Sequence, residues 1–359
     1  MTKQERLDEF LDERDLESVW FAEPNSFAWL TGGSNVVDRE GDVGVAAVGY
    51  DGDGLRVVTN DIEADRLRDE ELDGDVPVAE FAWYESTLAD AVAEHADEPA
   101  AADFDVPGFA SVDASPLRQP LTDEDADRYR DLGVETASAV EAICRELESS
   151  DTERDVASAV RGALDARGIE TPVVLVGGGE RARQYRHYTP TDAELGEYAL
   201  VSVTAERGGL HASLTRTVAF DPPEWLANRH HEAAIVESTA LVATQIVGGL
   251  SGRASSVFDA IQATYEHLGH PDEWQRHHQG GAAGYAGREW IATPSTDAEI
   301  RLPMAYAWNP TVKGAKSEDT ALVGEDGLEI LTRTGDWPTR PVDAYDYEGS
   351  IPRPAVLEL

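Results

Sequence analysis

The chain has 359 residues and carries 70 acidic against 29 basic side chains, a formal net charge of -41. This length exceeds what one hydrophobic core usually organises and predicts two domains. The acidity argues against nucleic acid as a partner, because phosphate binding needs a basic surface. Lysine occurs only as Lys3, Lys313 and Lys316. Acidity spread along a lysine-poor chain is typical of a halophilic protein, in which concentrated salt screens self-repulsion.

The first residues of the chain are polar, and no apolar run long enough for a membrane span follows them. We therefore expect a cytoplasmic protein with no membrane partner. Cys144 is the single cysteine, which excludes an intramolecular disulfide and a cysteine-based zinc finger. Its apolar, helix-like surroundings predict a position in the core.

The first part of the chain alternates short helices and strands. Apolar residues recur at helical spacing over 3–14 and predict an opening helix. The turn residues Asp51–Gly54 between two apolar runs predict a β-hairpin. Segment 107–120 is rich in Pro, Ser, Asp and Gly and predicts a linker. These elements together predict a small α/β domain over residues 1–118.

The second predicted domain comprises residues 119–359. Its predicted elements are, in chain order, helices over 123–149 and 152–166, strands over 172–176, 198–205 and 209–219, helices over 223–247 and 254–268, and mostly strands beyond. His230 and His231 are predicted on a solvent-facing side of their helix. The two domains give a mixed α/β (α+β) fold class.

The most specific motif of the chain is RHHQGGAAGYAGRE, from Arg276 to Glu289. It resembles the histidine motif of the creatinase, aminopeptidase P and prolidase family. The order of elements along the chain is similar to that family as well. The resemblance implies a small N-terminal creatinase-like α/β domain followed by a C-terminal pita-bread domain. At the position where the family's peptidases carry a metal-binding histidine, this chain has Gly281.

The resemblance extends to the other positions at which those peptidases hold two metal ions. Two aspartates on adjacent strands are replaced by Ser202 and Ser213. The first of two glutamates is replaced by Asn309, and only the second is kept, as Glu318. Hydroxyl, amide and glycine supply no negative charge to offset two divalent cations. We therefore expect no metal and no other cofactor.

Creatinase is a metal-free member of the family, and its motif also ends in Gly-Arg-Glu. That likeness implies that His277 is the acid and base of catalysis, since imidazole titrates near neutrality. The residues expected to bind the substrate are His187, Arg288, Asn309 and Glu318. Two structural interpretations stay open: His277 can be a hydrogen-bonded core residue, and Glu318 can form a buried ion pair with Arg216 or Arg288.

Three functions follow from the resemblance. The first is a metal-independent, creatinase-like hydrolase that cleaves a C–N bond of a small nitrogen-containing substrate. The alternatives are an Xaa-Pro-type aminopeptidase and a non-catalytic pita-bread binding protein. The expected partners are a small-molecule or short-peptide substrate and a second copy of the chain in a homodimer.

Overall fold

The chain divides into two compact units in the computed structural model, which describes residues 1–38, 40–74 and 76–359. The first unit comprises residues 1–122 with 208–210, and the second comprises residues 123–207 and 211–359. Within the described part of the chain, no helix combines the length and the apolar character needed to cross a membrane.

A six-stranded mixed sheet organises the first unit. Its strands are β1 (Ser18–Phe21), β2 (Ala46–Tyr50), β3 (Leu55–Asn60), β4 (Val78–Phe81), β5 (Ala100–Ala102) and β6 (Ala110–Ser111). They lie in the order β4-β3-β2-β1-β5-β6, with β1 antiparallel to β2 and parallel to β5. The predicted hairpin is formed by β2 and β3.

Among its described residues the first unit also has four helices: α1 (Lys3–Arg14), α2 (Pro24–Thr31), α3 (Ala64–Arg66) and α4 (Leu88–His95). Helix α1 begins at a capping box between Thr2 and Glu5, which satisfies two otherwise unpaired N–H groups. It ends at Asp15, whose left-handed backbone (φ 52°) stops the helix. Helix α3 is short and continues into a π-helical turn over Leu67–Glu71.

The second unit contains five helices among its described residues: α5 (Asp123–Cys144), α6 (Glu153–Asp165), α7 (Gly179–Gln184), α8 (Leu226–Gly249) and α9 (Ala254–His267). Cys144 is fully buried, as predicted. The prediction of a solvent-facing His230 was wrong, because only 2% of this residue is exposed. Burial, with Arg340 nearby, lowers the pKa of His230 to about 3, so the side chain is a neutral core group.

Two four-stranded sheets and two hairpins complete this unit. The first sheet has the order β18-β9-β8-β7, built from β7 (Glu170–Gly178), β8 (Tyr198–Arg207), β9 (Leu210–Ala219) and β18 (Leu357–Glu358). The second has the order β10-β11-β14-β15, built from β10 (Gly280–Ala283), β11 (Met304–Trp308), β14 (Asp319–Val323) and β15 (Leu328–Ile330). The hairpins are β12 (Thr311–Val312) with β13 (Ala315–Lys316), and β16 (Thr339–Asp343) with β17 (Ser350–Pro354).

A mostly buried set of ion pairs, here called the arginine network, connects β9, β14 and β17 with α5 and α8. Its members are Arg145, Arg216, Arg353, Glu141, Glu237 and Asp319. Arg216 lies 2.9 Å from Glu141 and 3.0 Å from Asp319, and it donates to the carbonyl of Thr332 at 2.7 Å. Arg216 therefore pairs with these carboxylates rather than with Glu318.

Candidate functional site

A cavity of about 530 Å³ lies in the second unit. Five of the residues singled out from the sequence line it, namely His187, Ser202, Arg288, Asn309 and Glu318. Lys316 and His278 line it as well. The other three, His277, Ser213 and Gly281, are buried behind this lining.

Glu318 is the centre of the polar contacts in this cavity and is only 4% exposed. Lys316 Nζ lies 2.8 Å from its Oε2, and Arg288 Nη2 lies 3.1 Å from its Oε1. Burial alone would raise the pKa of Glu318, but Lys316 and Arg288 outweigh burial and hold the pKa below its ordinary value. The carboxylate is thus ionised and shared by two cations, which leaves one surplus positive charge at the cavity.

A chain of hydroxyl groups ends on the same carboxylate. Thr215 Oγ1 donates to Glu318 Oε2 at 2.8 Å, which uses the one hydroxyl hydrogen of Thr215. Ser202 Oγ, 2.8 Å away, must therefore donate to Thr215, and Tyr188, 2.9 Å from Ser202, must donate to Ser202. Ser202 occupies a former aspartate position of the family pattern, and its proton is committed within this chain of hydrogen bonds.

Two of the remaining degenerate positions, Ser213 and Gly281, are also engaged or blocked, whereas Asn309 is not. Ser213 Oγ lies 3.0 Å from the hydroxyl of Thr204 and accepts from Arg288 Nη1 at 3.3 Å. At Gly281, an added Cβ would collide with the backbone carbonyl of Trp290, so no larger side chain fits there without movement. Asn309 is buried, and its Oδ1 has no hydrogen-bond partner among the described residues.

Three histidines form a cluster at one side of the cavity, here called the histidine cluster (His187, His277 and His278). His187 follows α7, whereas His277 and His278 lie between a 3-10 turn, Glu273–Arg276, and β10. The Nε2 atoms of His277 and His187 are 3.1 Å apart, and the rings of His277 and His278 stack with centroids 4.4 Å apart. The Nδ1 atoms of His277 and His278 have no hydrogen-bond partner in the described part of the chain.

All three imidazoles are held in the neutral form. Burial is the main cause that lowers the pKa values of His187 and His277, and the positive charge of Lys316 lowers them further. Burial, followed by Arg288 and Lys316, lowers the pKa of His278 to about 4. A cavity that already carries surplus positive charge disfavours further protonation, and so it favours imidazoles with a free lone pair.

A dinuclear metal centre of the kind carried by the family's peptidases does not fit these residues. Glu318 is the only carboxylate among the five corresponding positions, and it is already paired with Lys316 and Arg288. The two serines are engaged with neighbouring hydroxyl groups, and the position of Gly281 is blocked. Two divalent cations here would be repelled by the ammonium group of Lys316 and the guanidinium group of Arg288, where the family's peptidases supply anionic oxygens.

Sequence reasoning missed Lys316 and Thr215. A signal for Lys316 existed: it is one of three lysines in the chain and lies two residues before Glu318. No comparable signal existed for Thr215, because its contact with Glu318 joins strands about a hundred residues apart in sequence. Of the two interpretations left open for Glu318, the ion pair with Arg288 is the one that forms.

Comparison with known families identifies the second unit. The model of metallopeptidase family M24 matches residues 127–325, which is more than half of the chain. A curated Xaa-Pro dipeptidase of Pyrococcus furiosus is 22% identical over 358 residues, covering 92% of this chain and 97% of the relative.

Solved structures show that the fold spans the whole chain. The X-Pro aminopeptidase from Thermotoga maritima superposes with a TM-score of 0.73 at 14% identity, with complete coverage of both chains. The N-terminal domain of the FACT complex subunit SPT16 from chickpea superposes with a TM-score of 0.66 at 13% identity, covering 93% of this chain and 97% of that one. At these identities the likeness establishes the fold, which confirms the predicted architecture of an N-terminal domain and a pita-bread domain.

Proposed function

Because this chain belongs to metallopeptidase family M24, we propose that it hydrolyses the amide bond of a short peptide that carries a free carboxylate. Xaa-Pro dipeptides, after which its curated relatives are named, are the first candidates. The expected creatinase-like, metal-independent activity has no support from the family or the relatives. The alternative, an Xaa-Pro-type peptidase, agrees better with both.

The observation that supports this proposal is the surplus positive charge around Glu318. Arg288 and Lys316 share one carboxylate, and Arg288 Nε is buried with no hydrogen-bond partner among the described residues. A guanidinium binds a carboxylate with strong, directed hydrogen bonds. Arg288 lines the cavity, so a substrate carboxylate placed there would neutralise the surplus positive charge.

The bond to be cleaved would then lie near the histidine cluster. His187 and His278 face the cavity, and His277 contacts His187 from behind. The role of His277 as acid and base remains a proposal, and it requires this imidazole to take up a proton against the burial that lowers its pKa. A proton would pass between His277 and the cavity by way of His187. Asn309 lines the cavity, and its contact with the substrate also remains a proposal.

A matched pair of substrates tests the proposal. Xaa-Pro dipeptides with a free C-terminus are compared with the same dipeptides as C-terminal amides. We expect preference for the free acids, and we expect Arg288→Ala to raise KM for the acids about tenfold or more, since a lost charged hydrogen bond is worth at least about 1.4 kcal/mol. The KM for the amides should not change.

Arg301→Ala is the matched control, because Arg301 forms a surface pair with Glu299 outside the cavity lining. Equal kcat/KM for acids and amides would contradict the assigned role of Arg288. Tight binding of dipeptides without any turnover would instead identify the chain as a non-catalytic binding protein, the third function expected from the sequence.

A further inference from the structure

The hairpin of β12 and β13 carries or adjoins three polar residues of the cavity lining. Asn309 lies before β12, Lys316 is the last residue of β13, and Glu318 follows it. Because these side chains leave the chain within one short segment, the place of Lys316 beside Glu318 depends on where the hairpin is held. The turn of the hairpin, Lys313 and Gly314, does not belong to the cavity lining.

The turn lies tightly against a buried phenol. Gly314 is buried and has a left-handed backbone, with φ 90°. A Cβ on Gly314 would lie 3.0 Å from Tyr198 Oη and 2.8 Å from the ring of Trp225, so the turn has no room to shift toward them. Tyr198 Oη donates to the carbonyl of Gly314 at 2.9 Å. Burial raises the pKa of Tyr198, so the phenol keeps its proton and stays a donor.

This hydrogen bond is the stronger of two that hold the turn. It fixes the chain two residues before Lys316, and the next residue, Ala315, packs in the same buried apolar cluster as Tyr198. Arg229 Nη1 also donates to the turn, to the carbonyl of Lys313 at 2.9 Å, but that bond is exposed. Water replaces an exposed donor readily, whereas a buried carbonyl that loses its donor stays unsatisfied.

We propose that Tyr198 is a positioning residue of the cavity: through the carbonyl of Gly314 it holds Lys316 where the ammonium group pairs with Glu318 and faces the cavity. Tyr198 is not part of the cavity lining, so it acts only through the hairpin. Its effect on substrate binding rests on the proposed function, in which Lys316 supplies part of the surplus positive charge. Its effect on the place of Lys316 does not.

The small number of lysines gives a direct measure of that place. Lys316 is only 5% exposed and lies 2.8 Å from Glu318. The folded, full-length chain is treated with acetic anhydride at one fixed pH. Mass spectrometry of its peptides then gives the acetylation rate of Lys316 relative to Lys3, which lies in the first unit. A hairpin that is held less firmly exposes the amine of Lys316 and raises this ratio.

Tyr198→Phe removes the hydroxyl and keeps the ring in its apolar cluster. We expect the acetylation of Lys316 to rise about threefold or more, because the loss of one buried hydrogen bond makes opening of the hairpin easier. The KM for dipeptides with a free carboxylate should rise by a similar factor, while the KM for the amides stays constant. Circular dichroism confirms that the variant is folded.

Tyr306→Phe is the matched control. Tyr306 is also fully buried and donates to a backbone carbonyl, that of Arg301, at 2.7 Å, but it belongs neither to the hairpin nor to the cavity lining. It should lower stability by a similar amount and leave both readouts unchanged. Equal acetylation of Lys316 in Tyr198→Phe and Tyr306→Phe would overturn the proposal.

Arg229→Ala removes the second hydrogen bond to the turn and should raise the acetylation of Lys316 by less than Tyr198→Phe does. If Tyr198→Phe does not fold, this variant decides, and unchanged acetylation in it contradicts the positioning of Lys316 by the turn. The absence of hydrolysis for every dipeptide, together with the expected acetylation pattern, would refute the proposed function and support the role of Tyr198.

Discussion

Two neighbouring residues, Glu318 and Asp319, face two different environments. Asp319 belongs to the arginine network, in which the buried Arg216 and Arg353 and the partly exposed Arg145 equal the three carboxylates in number. Glu318 faces the cavity, where Arg288 and Lys316 both pair with this one carboxylate. A set of ion pairs with equal numbers of positive and negative groups needs no ligand for charge neutrality. A set with one surplus positive charge is stabilised when an anion binds. The contrast separates a structural set of charges from a candidate binding site.

The largest expected effect is the loss of a network arginine. Arg216→Met leaves Glu141 and Asp319 buried without their principal cation. Removal of one partner from a buried ion pair costs about 3–5 kcal/mol, because the other charge stays desolvated. Denaturant unfolding at one fixed salt concentration measures this loss. A loss below about 1 kcal/mol would show that the network is not the structural element we infer.

A medium effect is expected at the cavity wall. Gly281→Ala forces a Cβ against the carbonyl of Trp290 and should cost about 1–3 kcal/mol, the usual range for overpacking. The matched control is Gly162→Ala on the exposed side of α6, where a Cβ meets nothing. The control should gain about 0.5–1 kcal/mol, since alanine favours helix over glycine. A stability of Gly281→Ala equal to that of the parent chain would mean that this wall can move.

The same contrast explains what the sequence could predict. Helix α1 was predicted closely from apolar residues at helical spacing, and helix α6 from its cap at Thr152, because both are local signals. Cavity positions such as Ser202 and Glu318 were found because they keep the spacing of a family motif. The partners of those positions were not found. Thr215 reaches Glu318 only after the chain folds, whereas Lys316, two residues before Glu318, was overlooked. Helix α8 likewise concealed a buried His230, because tertiary packing covers a face that reads as polar.

The smallest expected effect on stability belongs to Lys316, and it distinguishes the two charge sets most directly. Lys316→Met keeps a chain of similar length and leaves Glu318 with Arg288 and the Thr215 hydroxyl. The buried carboxylate therefore remains compensated, and we expect a loss of about 1 kcal/mol in the same denaturant experiment, well below that of Arg216→Met.

The effect of Lys316→Met on ligands should be larger than its effect on stability. The substitution removes the surplus positive charge, so the KM for dipeptides with a free carboxylate should rise while that for the amides stays constant. Glu318 then competes with the substrate for Arg288 alone. A stability loss as large as that of Arg216→Met, with unchanged KM, would place Lys316 in the structural set and remove the physical basis for carboxylate binding in the cavity.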